Sequence, residues 1–91
     1  MSTDVRHNPQ SSRFEAQVDG HACVLDYRLD GKTMIITHTG VPSAVGGRGI
    51  ASDLTRTALE HARSEGWTVV PACSYADAYI RRHPEYASLL A

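Results

Sequence analysis

The stretch from Arg13 to Thr39, RFEAQVDGHACVLDYRLDGKTMIITHT, decides the fold. Phe14, Ala16 and Val18 alternate with polar neighbours, as do Cys23, Leu25, Tyr27 and Leu29, and then Met34, Ile36 and His38. Alternation with a period of two places one set of side chains against a core and the other toward solvent. Asp19-Gly20 and Asp30-Gly31 separate the three runs. Asp-Gly is a favoured hairpin pair, because both of its residues tolerate positive φ. The stretch therefore predicts an antiparallel meander of three strands.

The pattern changes after Pro42. Gly46-Gly47-Arg48-Gly49 runs into Ile50–Glu65, where Ile50, Leu54, Ala58 and Ala62 recur four apart and Leu59 widens the stripe. That spacing predicts an amphipathic helix, with Gly66 as its C-terminal cap. Trp67–Pro71 is short and apolar, as a returning strand would be. Tyr75–His83 reads as a second helix, and Pro84 starts a further turn that carries Tyr86, Leu89 and Leu90. Residues 1–12, polar and broken by Pro9, read as a flexible tail before a single domain at 13–91. The expected architecture is α/β in the order β-β-β-α-β-α, with a mostly antiparallel sheet.

Composition narrows the function. The chain has 91 residues, enough for one small domain with a modest core. Nine basic residues against ten acidic ones give a formal charge of -1, with no broad basic field to hold a polynucleotide. No apolar run approaches the length needed to span a bilayer, so neither nucleic acid nor membrane is an expected partner. Cys23 and Cys73 stand 50 residues apart and form no CxxC pair, which suits reduced thiols and a cytoplasmic setting. The five histidines show no ligand spacing, so no metal is expected.

Chemistry concentrates in two places. Gly46, Gly47, Arg48, Gly49, Ile50 and Ala51 form a glycine-rich entry to the long helix. Glycines let the backbone approach a ligand, and the unpaired amides of a first helical turn favour an anion such as a phosphate. The segment lacks the Gly-Lys-Ser/Thr ending of a nucleoside-triphosphatase loop and the glycine spacing of a dinucleotide fingerprint. Taken alone it is either a phosphate cradle or a tight structural turn. Cys73 follows the short strand at a strand-to-helix turn. There it reads either as a thiol activated by nearby amides or as a small buried apolar residue. His38 could serve as its base if their strands are neighbours, or could be a hydrogen-bonded structural group.

The blocks His38-Thr39-Gly40-Val41-Pro42, Gly47-Arg48-Gly49-Ile50-Ala51-Ser52, Cys73-Ser74-Tyr75 and Arg82-His83-Pro84-Glu85-Tyr86 occur in this order. Together with Ala62-Arg63, Val70-Pro71 and Tyr79-Ile80, they resemble the very small GNAT-like acetyltransferases from about Phe14 to Leu90. The resemblance implies a minimal acetyl-coenzyme A-binding core, with the pyrophosphate on Gly46 to Ala51. It implies that His38, Thr39, Val41, Ser74, Tyr79 and His83 lie along the cofactor. It further implies that Cys73 is an acetyl acceptor or catalytic residue, with His38 beside it. The implied reaction moves an acetyl group to an amine of a protein, peptide or small molecule. The alternative is a non-enzymatic coenzyme A-binding or protein-interaction module. Two departures bear on that choice: Gly40 replaces the usual acidic residue after His-Thr, and Ala44 replaces a Gln or Arg common before the loop in the larger superfamily.

Overall fold

The computed structural model describes residues 3–91. Its five strands are β1 (Arg6–Asn8), β2 (Arg13–Val18), β3 (His21–Asp30), β4 (Thr33–Gly40) and β5 (Thr68–Pro71). Helix α1 (Ile50–Glu65) joins β4 to β5, and α2 (Ser74–Arg82) follows β5. Three 3-10 turns complete the chain, at Pro9–Ser11, Ser43–Val45 and Pro84–Leu89. The sheet runs in sequence order from β1 to β5, with β1 to β4 antiparallel and β5 parallel to β4.

The meander forms as the alternation predicts. Val18 pairs with His21, so Asp19 and Gly20 alone make the first turn, with φ of 49° and 78°. Both values are positive, as a two-residue hairpin turn of the favoured hand requires. The second turn sits one residue later than expected. Asp30 is still paired, to Thr33, and Gly31-Lys32 makes the turn. Gly31, at φ 61°, supplies the positive dihedral.

The observed order is β-β-β-β-α-β-α, one strand more than expected. The additional strand lies inside the segment read as a tail: Arg6, His7 and Asn8 pair with Glu15, Phe14 and Arg13. Three polar residues show no legible period. Tertiary packing holds them, because the His7 ring lies flat on Phe14 with centroids 4.3 Å apart.

Both helices and the C-terminal turn pack on one face of the sheet. Phe14, Cys23, Leu25, Met34, Ile36 and Val69 meet Leu54, Ala58, Leu59, Ala62 and Ile80 there, all buried. On the other face Glu15, Val24, Asp26 and Ile35 are half-buried and Val70 is exposed. Trp67, just before β5, packs against the core partly buried. Tyr86 locks the C-terminal turn by donating to Glu60 Oε2 at 2.7 Å. Burial and that carboxylate push its phenol up to about 12.

One irregularity shapes everything downstream. Asp26 pairs with His38, but Tyr27 pairs with Ile36, so Thr37 is an extra residue in β4. A bulge of this kind reverses the facing of every later residue in its strand. Met34 and Ile36 are buried, whereas His38 is exposed opposite Asp26, and Thr39 pairs with buried Leu25. The expectation that His38 shares a face with Met34 and Ile36 is therefore corrected.

Two substitutions separate packing from backbone strain. Leu54 is fully buried, so Leu54→Ala should lower unfolding stability by about 2–5 kcal/mol in denaturant titration. Gly66 caps α1 at φ 74° with open space where a Cβ would stand. Gly66→Ala should therefore cost only the left-handed strain, about 1–2 kcal/mol.

Candidate active site

The glycine-rich entry is a helix start without a cap. Val45 is buried and anchors the preceding turn, while Gly46 to Gly49 stay exposed. Gly47 and Gly49 have φ of 78° and 77°, with no atom within 4 Å of where a Cβ would stand. The first intrahelical bond runs from the Asp53 amide to the Gly49 carbonyl at 3.0 Å, and no side chain caps the helix. The amides of Ile50, Ala51 and Ser52 thus lack an intrahelical partner, at the positive end of a 16-residue dipole. Arg48, expected to reach a phosphate, donates from Nη1 to Asp19 Oδ2 at 2.6 Å. Its guanidinium is half-exposed, and its other donors remain for a ligand.

A carboxylate in the first turn of α1 would oppose an anion, and Asp53 stands there. Its Oδ2 accepts the Thr3 amide at 2.9 Å, and its Oδ1 accepts from Arg56 at 2.9 Å. Burial works to raise its pKa, but the Thr3 amide and Arg56 outweigh it and hold the carboxyl below its ordinary value. The charge is therefore compensated locally.

The second half of the site is a parting of strands. Pairing between β4 and β5 ends at Ile36 and Pro71. The Cys73 amide donates to the Ile36 carbonyl at 3.0 Å, and the chain then turns into α2. Thr37 to Gly40 continue with β3 alone, leaving a notch between the end of β4 and the start of α2. Cys73 stands in the notch as the N-cap residue of α2, partly buried. Thr39 Oγ1 lies 3.5 Å from its sulfur, which places the reversed strand phase against the thiol. Burial pushes the Cys73 thiol up, yet the Ala76 amide, the Thr39 hydroxyl and the Tyr75 amide together draw it below its ordinary value. Cys23 is sealed in the core, and burial pushes its thiol up.

The structure brings Thr39, Cys73 and Ser74 together and leaves His38 apart. His38 sits opposite Asp26 on the outer face, where its Nε2 lies 2.9 Å from the position a Gly40 Cβ would take. The expected His38–Cys73 pair does not form, because the bulge sends the two side chains to opposite faces. Val41 packs against the core. His83 ends α2: its Nδ1 is hydrogen bonded to the Tyr79 carbonyl at 2.9 Å, and its ring stacks on Tyr79 at 4.0 Å. Tyr75 extends the stack, 6.4 Å from Tyr79.

This ladder lines a cavity of about 460 Å³ together with Ser52, Ala78 and Arg82. Ser52 belongs to the first turn of α1, so the cavity adjoins the helix start. Ser52 and Tyr75 escaped the sequence reading as site residues. The four-residue spacing of Tyr75, Tyr79 and His83 was their available signal. Among the described residues no group of His, Cys, Asp and Glu is arranged to hold a metal ion, and no helix is long and apolar enough to cross a membrane.

A single-face helix layer, a helix start with free amides and a notch between diverging parallel strands define a small α/β domain of the GNAT-like kind. Residues 13–89 match the sequence profile of the GCN5-related N-acetyl-transferases, and the chain belongs to that family. It is 34% identical over 83 residues to Protein NATD1 of Mus musculus, covering 88% of this chain and 76% of the mouse protein. The Homo sapiens Protein NATD1 is 32% identical over 83 residues, covering 88% and 74%. A solution NMR structure of a GCN5-like protein from Staphylococcus aureus superposes with a TM-score of 0.77 over 99% of this chain and 89% of that one. At 24% identity that likeness concerns the fold.

The thiol environment is open to measurement. Thr39→Val removes the hydroxyl at the sulfur and should move the pH midpoint of Cys73 alkylation upward, slowing the reaction several-fold at neutral pH. Thr39→Ser should preserve the wild-type midpoint. Iodoacetamide kinetics across pH, in a Cys23→Ala background, read this directly.

Proposed function

We propose that this chain binds acetyl-coenzyme A and transfers its acetyl group to an amine of a protein, peptide or small molecule. The observation that carries the reading is the junction of two features on one side of the sheet. The uncapped start of α1 can take a pyrophosphate, and the notch beside it can take an extended thiol arm down to Cys73. The residues present fit this ligand. Backbone amides from Gly47 to Ala51 would hold the pyrophosphate, open space at Gly47 and Gly49 admits close approach, and Arg48 and Arg82 offer charge-assisted bonds. The Tyr75–Tyr79–His83 ladder offers a stacking surface beside Ser52 for the nucleotide end.

When bound, acetyl-coenzyme A supplies a thioester carbonyl whose carbon accepts a nucleophile. Within the notch, Thr39 and the first amides of α2 hold the Cys73 sulfur in its ionised form more readily than an ordinary thiol. Cys73 is thus the residue suited to receive the acetyl group before an amine does. The exposed strand and helix amides around it can steady negative charge on an oxygen. Two free thiols fit a cytoplasmic setting.

A second reading, a non-enzymatic coenzyme A-binding module, draws on one specific observation. Gly40 brings no carboxylate to the notch and His38 faces away from it, so neither of these two positions supplies a general base there for an incoming amine. The two readings share cofactor binding and differ in transfer.

Calorimetric titration of the folded chain with coenzyme A and with dephospho-coenzyme A should show binding of both. Absence of binding for both at millimolar ligand would remove the cofactor from either reading. Gly49→Val should weaken binding by more than about tenfold, because it strains a φ of 77° and fills the approach. Arg48→Ala should cost only about threefold, since this exposed guanidinium is already shared with Asp19.

Intact-mass measurement after incubation with acetyl-coenzyme A tests the role of Cys73. One added acetyl group is expected in wild type and in Cys23→Ala, and none in Cys73→Ala. Unchanged amine acetylation by a folded Cys73→Ala protein would sink the thiol's part. Cofactor binding without transfer to any amine would favour the module.

A further inference from the structure

The N-terminal strand is fastened along α1 at two titratable points. His7 lies flat on Phe14 with an interplanar angle of 10°, and its Nε2 is hydrogen bonded to the Tyr27 hydroxyl at 2.7 Å. From α1, the His61 ring sits 4.4 Å from the His7 ring and leans edge-on against Trp67 at 5.2 Å. Two turns earlier on the same helix, Asp53 accepts the Thr3 amide. Residues 3–8 therefore run beside α1 from Asp53 to His61, with Val5 packed against the core between them. Backbone pairing to β2 covers three residues only.

We propose that the His7–His61 contact is a pH-operated latch: with the His7 ring neutral it clamps β1 along α1, and protonation of His7 in mild acid releases the strand. A charged His7 would lose water in an aromatic stack and meet a second imidazole at 4.4 Å. The groups facing His7 do not all push the same way. From α1, His61 repels a proton and Glu65 attracts one, while from β3 the Tyr27 hydroxyl can accept from either protonation state. Phe14 and Trp67 carry no charge, and next to His7 in the chain Arg6 stands opposite Glu15 in the ladder and makes its ion pair with Asp4 at 3.8 Å.

Burial first and His61 second outweigh Glu65, so His7 titrates below its ordinary value of 6.5. A group whose folded pKa is depressed lends stability that is complete above the unfolded value and is lost as pH falls through the folded one. Asp53 is held low and stays ionised across that range, so the Thr3 anchor persists and the strand opens from the His7 end. Opening uncovers the edge of β2 from Arg13 to Glu15, together with one side of Phe14.

Hydrogen exchange on the full chain at about pH 7.5 and about pH 5.5, corrected for intrinsic rates, tests the latch. Protection of the β1 amides should fall by about threefold or more in acid, while amides inside α1 keep theirs. His7→Phe retains the stack without a titrating group and should abolish the pH dependence. An NMR titration of His7 supplies a second readout, since strand release should share its midpoint. His61→Gln removes the repelling charge and should raise that midpoint. Equal loss of protection in wild type and His7→Phe, no loss in wild type, or a His7 midpoint unmoved by His61→Gln would overturn the proposal.

Discussion

The site depends on one extra residue in one strand. Were Thr37 paired in regular register, β4 would keep the phase of Met34 and Ile36 to its end, and His38 instead of Thr39 would face the helices. With Thr37 bulged out, a hydroxyl meets the Cys73 sulfur and an imidazole is carried to the far face. The same irregularity lies where β4 and β5 stop pairing, so the reversed phase and the open notch coincide. A bulge disturbs a ladder locally and bends its strand. Here the bend is placed where a parallel neighbour departs, and the departure creates the only stretch of β4 that serves no second strand.

Electrostatics at the helix start follow a similar economy. The chain carries almost no net charge, so an anion at the helix start would be drawn by oriented amides and not by a basic field. That demands an uncapped N-terminus, which is ordinarily a weakness. Asp53 supplies part of the stabilisation that a cap would give, acting on the dipole from within the first turn. Its own charge is met by Arg56 and the Thr3 amide. The helix can thus remain stable while its leading amides stay free.

The helix layer covers one face of the sheet, so burial per residue is limited and each element depends on few neighbours. Aromatic contacts compensate at both ends of the molecule. His7, Phe14, Tyr27, His61 and Trp67 join the N-terminal strand to the end of α1. Tyr75, Tyr79, His83 and Tyr86 join α2 to the C-terminal turn, with Arg63 of α1 placed 5.1 Å over the Tyr86 ring. Such rings bring large area and specific geometry for few residues. They also place titratable groups inside packing contacts, and that makes the N-terminal contact responsive to protons.

The sequence by itself determined the meander, the long helix, its glycine entry and its glycine stop. Each of these rests on local rules: alternation, four-residue recurrence, and the positive φ that Gly20, Gly47, Gly49 and Gly66 adopt at low cost. It also carried the family, through ordered blocks that run from the meander to Tyr86. The tertiary structure alone decided the rest. Arg6–Asn8 became a strand because Phe14 and His61 receive the His7 ring, and no local pattern records a partner 54 residues away. The divorce of His38 from Cys73 came from a single unpaired residue, invisible to a periodicity that fits β4 with or without a bulge. The notch exists because two strands distant in sequence stop pairing at Ile36 and Pro71, and where a ladder ends is set by the packing of both strands together.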